Sequence, residues 1–320
     1  MASALDKFKG SLVGCAVGDA LGMPVRGMDA RSIDEAHGDL DGFADGRLGA
    51  GRITAVTRIT VVLTQALLEA GRYKRAHVAM KFGRWIEASD TGGKEAGDAC
   101  AATVEAARRL AGGADPSESG VDSDGCGAAT RAAPVGLRYF HDPAGLQDAA
   151  ADQARLTHTD PGTVAGSVAV AMFVAAGISD DGELDREGLL QGAAAAVRKL
   201  SPEFSARLTG LSGYLDAAPE EGFAYTGCGS AATEAVPAAL FAFLRAPYDF
   251  EECVLSAVNA GGDATSTGAI AGAVSGSFNG ESSIPERFSG RVEGGSYISG
   301  LAYRLFTLTP ACTATNRPVL

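Results

Sequence analysis

Val258-Asn259-Ala260-Gly261-Gly262-Asp263-Ala264-Thr265-Ser266-Thr267-Gly268-Ala269-Ile270 is the stretch that decides how this chain is read. A glycine pair leads into an acid, hydroxyl residues follow, and Ile270, Val274 and Phe278 then fall on one helical face. Asp263 stands where a helix N-cap belongs, with Ser266 in the first turn. Helix starts gather unpaired backbone N–H groups and the positive end of the helix dipole, which suits them to chemistry. A lone Gly-Gly-Asp would be no more than a loop capping a core helix. It gains weight from a second helix mouth far upstream, Gly51-Arg52-Ile53-Thr54-Ala55-Val56-Thr57.

Behind that second mouth, Ile59, Val62, Leu63, Ala66, Leu67 and Ala70 follow the i, i+3, i+4, i+7 rule and predict a helix over 57–70. Leu5, Phe8, Leu12, Cys15 and Ala16 do the same over 2–22, and a Gly- and Asp-rich loop is expected from 27 to 53. Further helices are expected over 74–88, with Trp85 as a core anchor, over 94–111, and over 128–140, where Pro134 interrupts or kinks. Others follow Asp160-Pro161 and lie near 185–199, 203–216, 231–245, 249–259 and 294–307. Period-two alternation is almost absent, no fixed repeat emerges and no Pro/Ser linker divides the chain. One all-α domain over 1–320 is the expectation.

A chain of 320 residues with 46% hydrophobic content can bury a real core. Its 43 glycines, set among abundant alanine, predict closely packed helices joined by tight turns. A net charge of −12 argues against a nucleic-acid surface. The longest apolar passages are interrupted by Gly or polar residues, so no membrane span is expected, and no signal-peptide pattern precedes them. The six cysteines, Cys15, Cys100, Cys126, Cys228, Cys253 and Cys312, form no C-x-x-C pair, which speaks against a zinc knuckle or thioredoxin-like site. Cys15 and Cys253 read as small buried hydrophobes in a cytoplasmic, thiol-reduced protein.

Three further motifs run collinearly with Ala257–Asp263 and with the Thr54 helix mouth. They are Gly18-Asp19-Ala20-Leu21-Gly22-Met23-Pro24, the Gly-rich Ser123-Asp124-Gly125-Cys126-Gly127 with its following helix through Pro134, and Thr157-His158-Thr159-Asp160-Pro161. In this order the chain resembles the ADP-ribosylglycohydrolase family. The resemblance implies an all-helical fold with two Mg²⁺ ions between two helix starts, usually Thr-Asp-Asp-Thr and Asp-x-Asp-Thr/Ser. Hard divalent cations want oxygen ligands, and two adjacent ones want several carboxylates. An acid a few residues after the opening motif serves near the scissile bond in that family.

This chain departs from the pattern at those positions. The first start reads Thr54-Ala55-Val56-Thr57, the second Asp263-Ala264-Thr265-Ser266, and the family acid falls at Arg26. Of four metal carboxylates only Asp263 is left, with the hydroxyls of Thr54 and Ser266 as its expected support, and Val56 adds an apolar side chain. A cation at Arg26, ~4–8 Å from a divalent metal, repels it by several kcal/mol at an effective dielectric near 20. The expectation is therefore no Mg²⁺ cofactor and no catalytic residues of the family kind.

What the resemblance leaves is a cleft in which Ser123, Gly125, Cys126, Gly127 and His158 would hold ADP-ribose or a related nucleotide weakly. The same residues serve equally as turn-formers and a capping histidine. Arg131 reads as a structural ion-pair former. Cys126, in a Gly-rich loop before a helix, is the natural rival nucleophile. No His and Asn/Asp signature accompanies it, and His158 and His141 are partners only by arithmetic. Three functions follow: a degenerate scaffold comparable to the J-type crystallins of the same family, a residual ADP-ribosyl hydrolase, or a noncatalytic ADP-ribose binder.

Overall fold

The computed structural model describes residues 2–91 and 97–310. The first half holds α1 (Ala4–Gly22), α2 (Ala30–His37), α3 (Ala55–Ala70), α4 (Arg75–Asp90) and α5 (Ala101–Ala111). It continues through α6 (Gly127–Thr130), α7 (Ala133–Tyr139), α8 (Pro143–Arg155) and α9 (Pro161–Ser179). The second half holds α10 (Arg186–Val197), α11 (Pro202–Leu211), α12 (Pro219–Thr226) and α13 (Ala232–Arg245). It ends with α14 (Phe250–Asn259), α15 (Ala264–Asn279), α16 (Glu286–Ser289) and α17 (Gly295–Leu308). Among the described residues no strand forms, and the fold is all-α. Three isolated β-bridges tie loops together: Asp29 to Gly261, Val121 to His158, and Gly125 to Ala231.

Several elements depart from the periodicity reading. The expected loop over 27–53 contains α2, capped by Asp29 on the Ser32 amide; its only buried residue is Ile33, too little for a stripe. Helices α8 and α12, each with a proline in its first turn, were not expected either. Cys100 takes the N-cap of α5, so that helix starts at Ala101 rather than 94. The segment over 128–140 is two helices, and Pro134 sits in the first turn of α7, where a missing N–H costs nothing. Helix α11 ends at Leu211 in a 3₁₀ turn. Helix α9 is long and apolar enough by composition to cross a membrane, because its Gly and Ser residues do not break it. Its apolar window is nonetheless 83% buried within the protein, so it serves as a core helix.

The centre of the fold is the antiparallel pair α1 and α15. Gly10, Gly14, Gly18 and Gly22 recur every four residues on α1 and face Gly276, Gly272, Gly268 and Ala264. A Cβ at Gly18 would lie 1.9 Å from the Gly268 carbonyl oxygen, and one at Gly14 would lie 2.2 Å from that of Gly272. Only backbones without side chains approach this closely, which accounts for part of the glycine content. Helices α14, α13 and α9 cover the other faces of α15, and α17 packs on α1. The pairing has a functional consequence: it brings the last turn of α1, with Asp19, beside the start of α15, with Asp263.

Candidate functional site

At the start of α3, Asp19 is fully buried and accepts four hydrogen bonds. Its Oδ2 takes the Thr54 amide at 2.8 Å, the Thr57 amide at 3.2 Å and the Thr57 hydroxyl at 2.6 Å. Its Oδ1 takes the Thr54 hydroxyl at 2.7 Å. Burial outweighs these bonds and pushes the carboxyl up to about 6. Thr54 Oγ1 also accepts from the Val56 amide at 3.1 Å, and Asp98 Oδ1 accepts from the Ala55 amide at 3.1 Å. All three leading amides of α3 are thus capped by side chains, with two carboxyl groups at the positive end of the helix. Thr54 therefore serves Asp19 and α3; it does not support Asp263.

At the start of α15, Gly262 has φ +68°, and a Cβ there would lie 1.8 Å from the Cys228 carbonyl oxygen. The loop is clamped by Gly262 donating to the Met28 carbonyl at 2.7 Å and Asp263 to that of Cys228 at 2.8 Å. Asp263 holds the N-cap position, yet its carboxylate bonds no amide of the helix. It accepts instead from Ser266 Oγ at 2.7 Å, Thr265 Oγ1 at 3.0 Å and Cys126 Sγ at 3.5 Å. Arg26 Nε forms an ion pair with its Oδ1 at 3.4 Å. Arg26 also donates to the Asp98 carbonyl at 3.1 Å, and Arg47 to Asp98 Oδ2 at 2.9 Å.

Between these helix starts and the Gly-rich loop lies a cavity of about 230 Å³. Arg26, Ala55, Val56, Asp98, Ser123, Gly125, Cys126, Gly127, Asp263 and Ser266 all line it. Thr54 and Thr265 line an adjoining opening of about 450 Å³ with Arg26, Arg47 and Asp98. Two amides of the Gly-rich loop are already engaged, Gly125 with Ser123 Oγ at 3.3 Å and Cys126 with the Ser230 carbonyl at 2.9 Å.

His158 does not line the cavity. It is buried behind the loop, with Nδ1 2.8 Å from Thr157 Oγ1 and Nε2 3.5 Å from Cys100 Sγ. Burial, reinforced by Arg131, pushes it down to about 3 and keeps the ring neutral. Among the described residues Arg131 makes no ion pair of the kind the sequence suggested. It is fully buried and holds the Gly127 and Gln153 carbonyls, Gln153 Oε1 and Thr157 Oγ1. Cys126 is buried, and burial followed by the Asp263 charge pushes its thiol well above the ordinary range. It donates a hydrogen bond to Asp263, His158 bonds Cys100 and Thr157 instead, and His141 lines a separate opening with Arg138 and Asp142.

The carboxylates at the two helix starts already have protein partners. Among the described residues no three His, Cys, Asp or Glu are grouped to hold a metal. Asp19 is committed to α3, Asp98 to Ala55 and Arg47, and Asp263 to three hydrogen-bond donors and the Arg26 ion pair. The contributions of Asp98, Arg47 and Cys100 carry no signal in the sequence, because the fold brings them together from distant loops. Asp19 stood inside a quoted motif, but its partner helix did not show.

The ADP-ribosylglycohydrolase family profile matches residues 1–314. An uncharacterized protein of Archaeoglobus fulgidus is 32% identical over 95% of this chain and 97% of its own length. The ADP-ribosyl-[dinitrogen reductase] glycohydrolase of Rhodospirillum rubrum is 26% identical over 90% of each chain. A solved structure described as an ADP-ribosylglycohydrolase-related protein complex superposes with a TM-score of 0.79 at 27% identity, over 97% of this chain and 100% of its own. Collinear motifs, all-helical architecture and near full-length matches converge: the chain belongs to the ADP-ribosylglycohydrolase family.

Proposed function

We propose that this chain is a catalytically degenerate member of the family, without di-magnesium hydrolysis, serving a soluble, crystallin-like structural role. The observation that carries the reading is the engagement of Asp263 by three hydrogen bonds and an arginine. A carboxylate offers about four lone-pair directions. Thr265, Ser266 and Cys126 take three of them, and the Arg26 guanidinium sets a positive charge 3.4 Å from Oδ1. Mg²⁺ demands a near-octahedral oxygen shell and sheds water reluctantly. To bind here it would have to displace a guanidinium from the one family carboxylate, with Ala55, Val56 and Thr265 offering no further acid. The five described cysteines are all free, which supports a reducing compartment such as the cytoplasm; Cys312 lies outside the described residues.

A second reading, a noncatalytic ADP-ribose binder, draws support from the cavity that persists beside Ser123–Gly127. One set of measurements separates them. Calorimetric titration with Mg²⁺ and with ADP-ribose is paired with assays of ADP-ribose release from modified arginine and serine peptides. The scaffold role expects no heat and no release. Binding without turnover selects the second reading, and magnesium-dependent release sinks the proposal in favour of a residual hydrolase. The quadruple variant Arg26→Glu, Ala55→Asp, Val56→Asp, Thr265→Asp restores the family acids. It should gain a Tm that rises with Mg²⁺, by linkage of binding to folding, whereas the parent's Tm should not move.

A further inference from the structure

Neither reading uses a second cavity, of about 480 Å³, that opens between α2, α12 and the end of α14. Its apolar lining comes from Ile33 on α2 and from Pro219, Phe223 and Ala224 on α12. Three carboxylates, Asp34, Asp39 and Glu220, line it as well, and no lysine or arginine does. Among the described residues none of the three takes part in an ion pair. The cations of α2 do not answer them: Arg31 pairs with Glu35 at 2.8 Å, and both Arg31 and His37 lie outside the lining. The backbone adds charge of the same sign. The last turn of α2 reaches the cavity through Asp34 and its cap Gly38, and that of α14 through Ser256, Asn259 and its cap Ala260. Helix C-termini carry partial negative charge. Helix α12 presents its opposite end here, but Pro219 has no N–H and Glu220 and Glu221 stand in its first turn. The wall is held in place by Asn259, which both accepts from the Leu40 amide and donates to the Leu40 carbonyl at 3.0 Å.

We propose that this cavity binds a small organic cation with an apolar body, an arylalkyl ammonium or guanidinium, whose body packs on Ile33 and Phe223 while its charge faces Asp34, Asp39 and Glu220. The class follows from complementarity on both counts. An inorganic cation would leave the apolar wall wet, and a neutral apolar molecule would leave the field of three carboxylates and two helix ends unanswered. An anion such as a nucleotide diphosphate is repelled, so this site is distinct from the cleft beside the Gly-rich loop. Its volume is that of an ordinary small-molecule site, apolar with a few charged groups that set selectivity. The aromatic face of Phe223 favours a cationic guest over its neutral isostere in the same way. The inference stands whether or not the other cavity binds ADP-ribose.

The test titrates the full chain by calorimetry with phenethylammonium chloride, its neutral counterpart 2-phenylethanol and the anion 3-phenylpropionate. The ammonium should saturate one site with a Kd of about 1 mM or tighter, roughly tenfold below that of the alcohol, and the carboxylate should give no heat. An exposed ion pair is worth only a few-fold. The triple variant Asp34→Asn, Asp39→Asn, Glu220→Gln should therefore weaken the ammonium about tenfold and leave the alcohol within about twofold. All three positions are exposed, so the variant keeps the fold. Ala224→Lys, also at an exposed position, sets a cation in the cavity and should abolish the ammonium's heat. No saturable heat, equal affinity for the alcohol, or unchanged affinity in either variant overturns the proposal. So does binding of a tetra-arginine peptide run in parallel with none of phenethylammonium, which would make the acidic face a protein contact.

Discussion

Asp19 accepts four hydrogen bonds and still resists ionisation, because at full burial the cost of desolvating a carboxylate exceeds what two hydroxyls and two amides return. The sign of the pH effect follows. Its carboxyl sits at about 6 in the folded chain, against roughly 3.9 unfolded, so the folded state binds the proton more tightly. That contribution is complete below the unfolded value, falls as pH rises from about 4 to about 6, and is flat above. Two units correspond to about 3 kcal/mol. Urea unfolding across this window should show the wild type losing stability relative to Asp19→Asn, which cannot titrate; parallel curves would contradict it. Asp19→Asn can keep an acceptor toward Thr54 and Thr57 and should cost about 1 kcal/mol near neutral pH, whereas Asp19→Ala strands both amides and should cost about 3. None of this was legible from residues alone. The motif around Asp19 stood out in the sequence, and so did Thr54 and Thr57, but only the close approach of α1 to α3 reveals that they bond one another. Asp98 was invisible because nothing in its neighbourhood marks a cap for a helix 43 residues away.

At the scale of elements, legibility tracked asymmetry. Helix α3 has a buried face and a more open one, so its apolar residues recur with helical period and the sequence announces it. Helices α9 and α15 are buried nearly all round, and α1 carries a glycine face beside its apolar stripe, so the sequence announces these helices and their close packing but not which partner the glycines face. The glycine ladder is also what registers the two helix starts of the site, so its loosening would reach Asp19 and Asp263 together. Gly18→Ala and Gly192→Ala make a matched pair. Both positions are helical, but a Cβ at Gly18 meets the Gly268 carbonyl oxygen at 1.9 Å while one at Gly192 meets nothing within 4 Å. Alanine gains up to about 1 kcal/mol over glycine in a helix interior. Gly192→Ala should therefore stabilise by roughly 0.5–1 kcal/mol in urea unfolding. Gly18→Ala should destabilise by about 3 kcal/mol, because the obstacle is backbone and cannot rotate away. Equal effects at the two sites would mean that α1 and α15 can slide apart at little cost.

For the whole molecule, the pairing of α1 with α15 joins the beginning of the chain to its last quarter, and α17 returns to cover α1. One hydrophobic cluster runs from Phe8 through Trp85, Phe173 and Phe243 to Leu305. Such long-range closure leaves little that can fold early by itself, since α1 finds its partner only after more than two hundred residues have been placed. The periphery could still melt first: α4 packs on α3, α5 and α8, away from the α1–α15 seam. Trp85, the sole tryptophan, is buried on α4 and reports that layer. If the continuous core makes the chain one cooperative unit, urea midpoints from Trp85 fluorescence and from far-UV circular dichroism should coincide. Gly18→Ala, which acts only at the distant seam, should shift both by the same amount. An earlier fluorescence midpoint, or a Gly18→Ala shift seen only by circular dichroism, would instead make the α4 layer a separate folding unit and free the cavity wall at Cys100 to open without global unfolding.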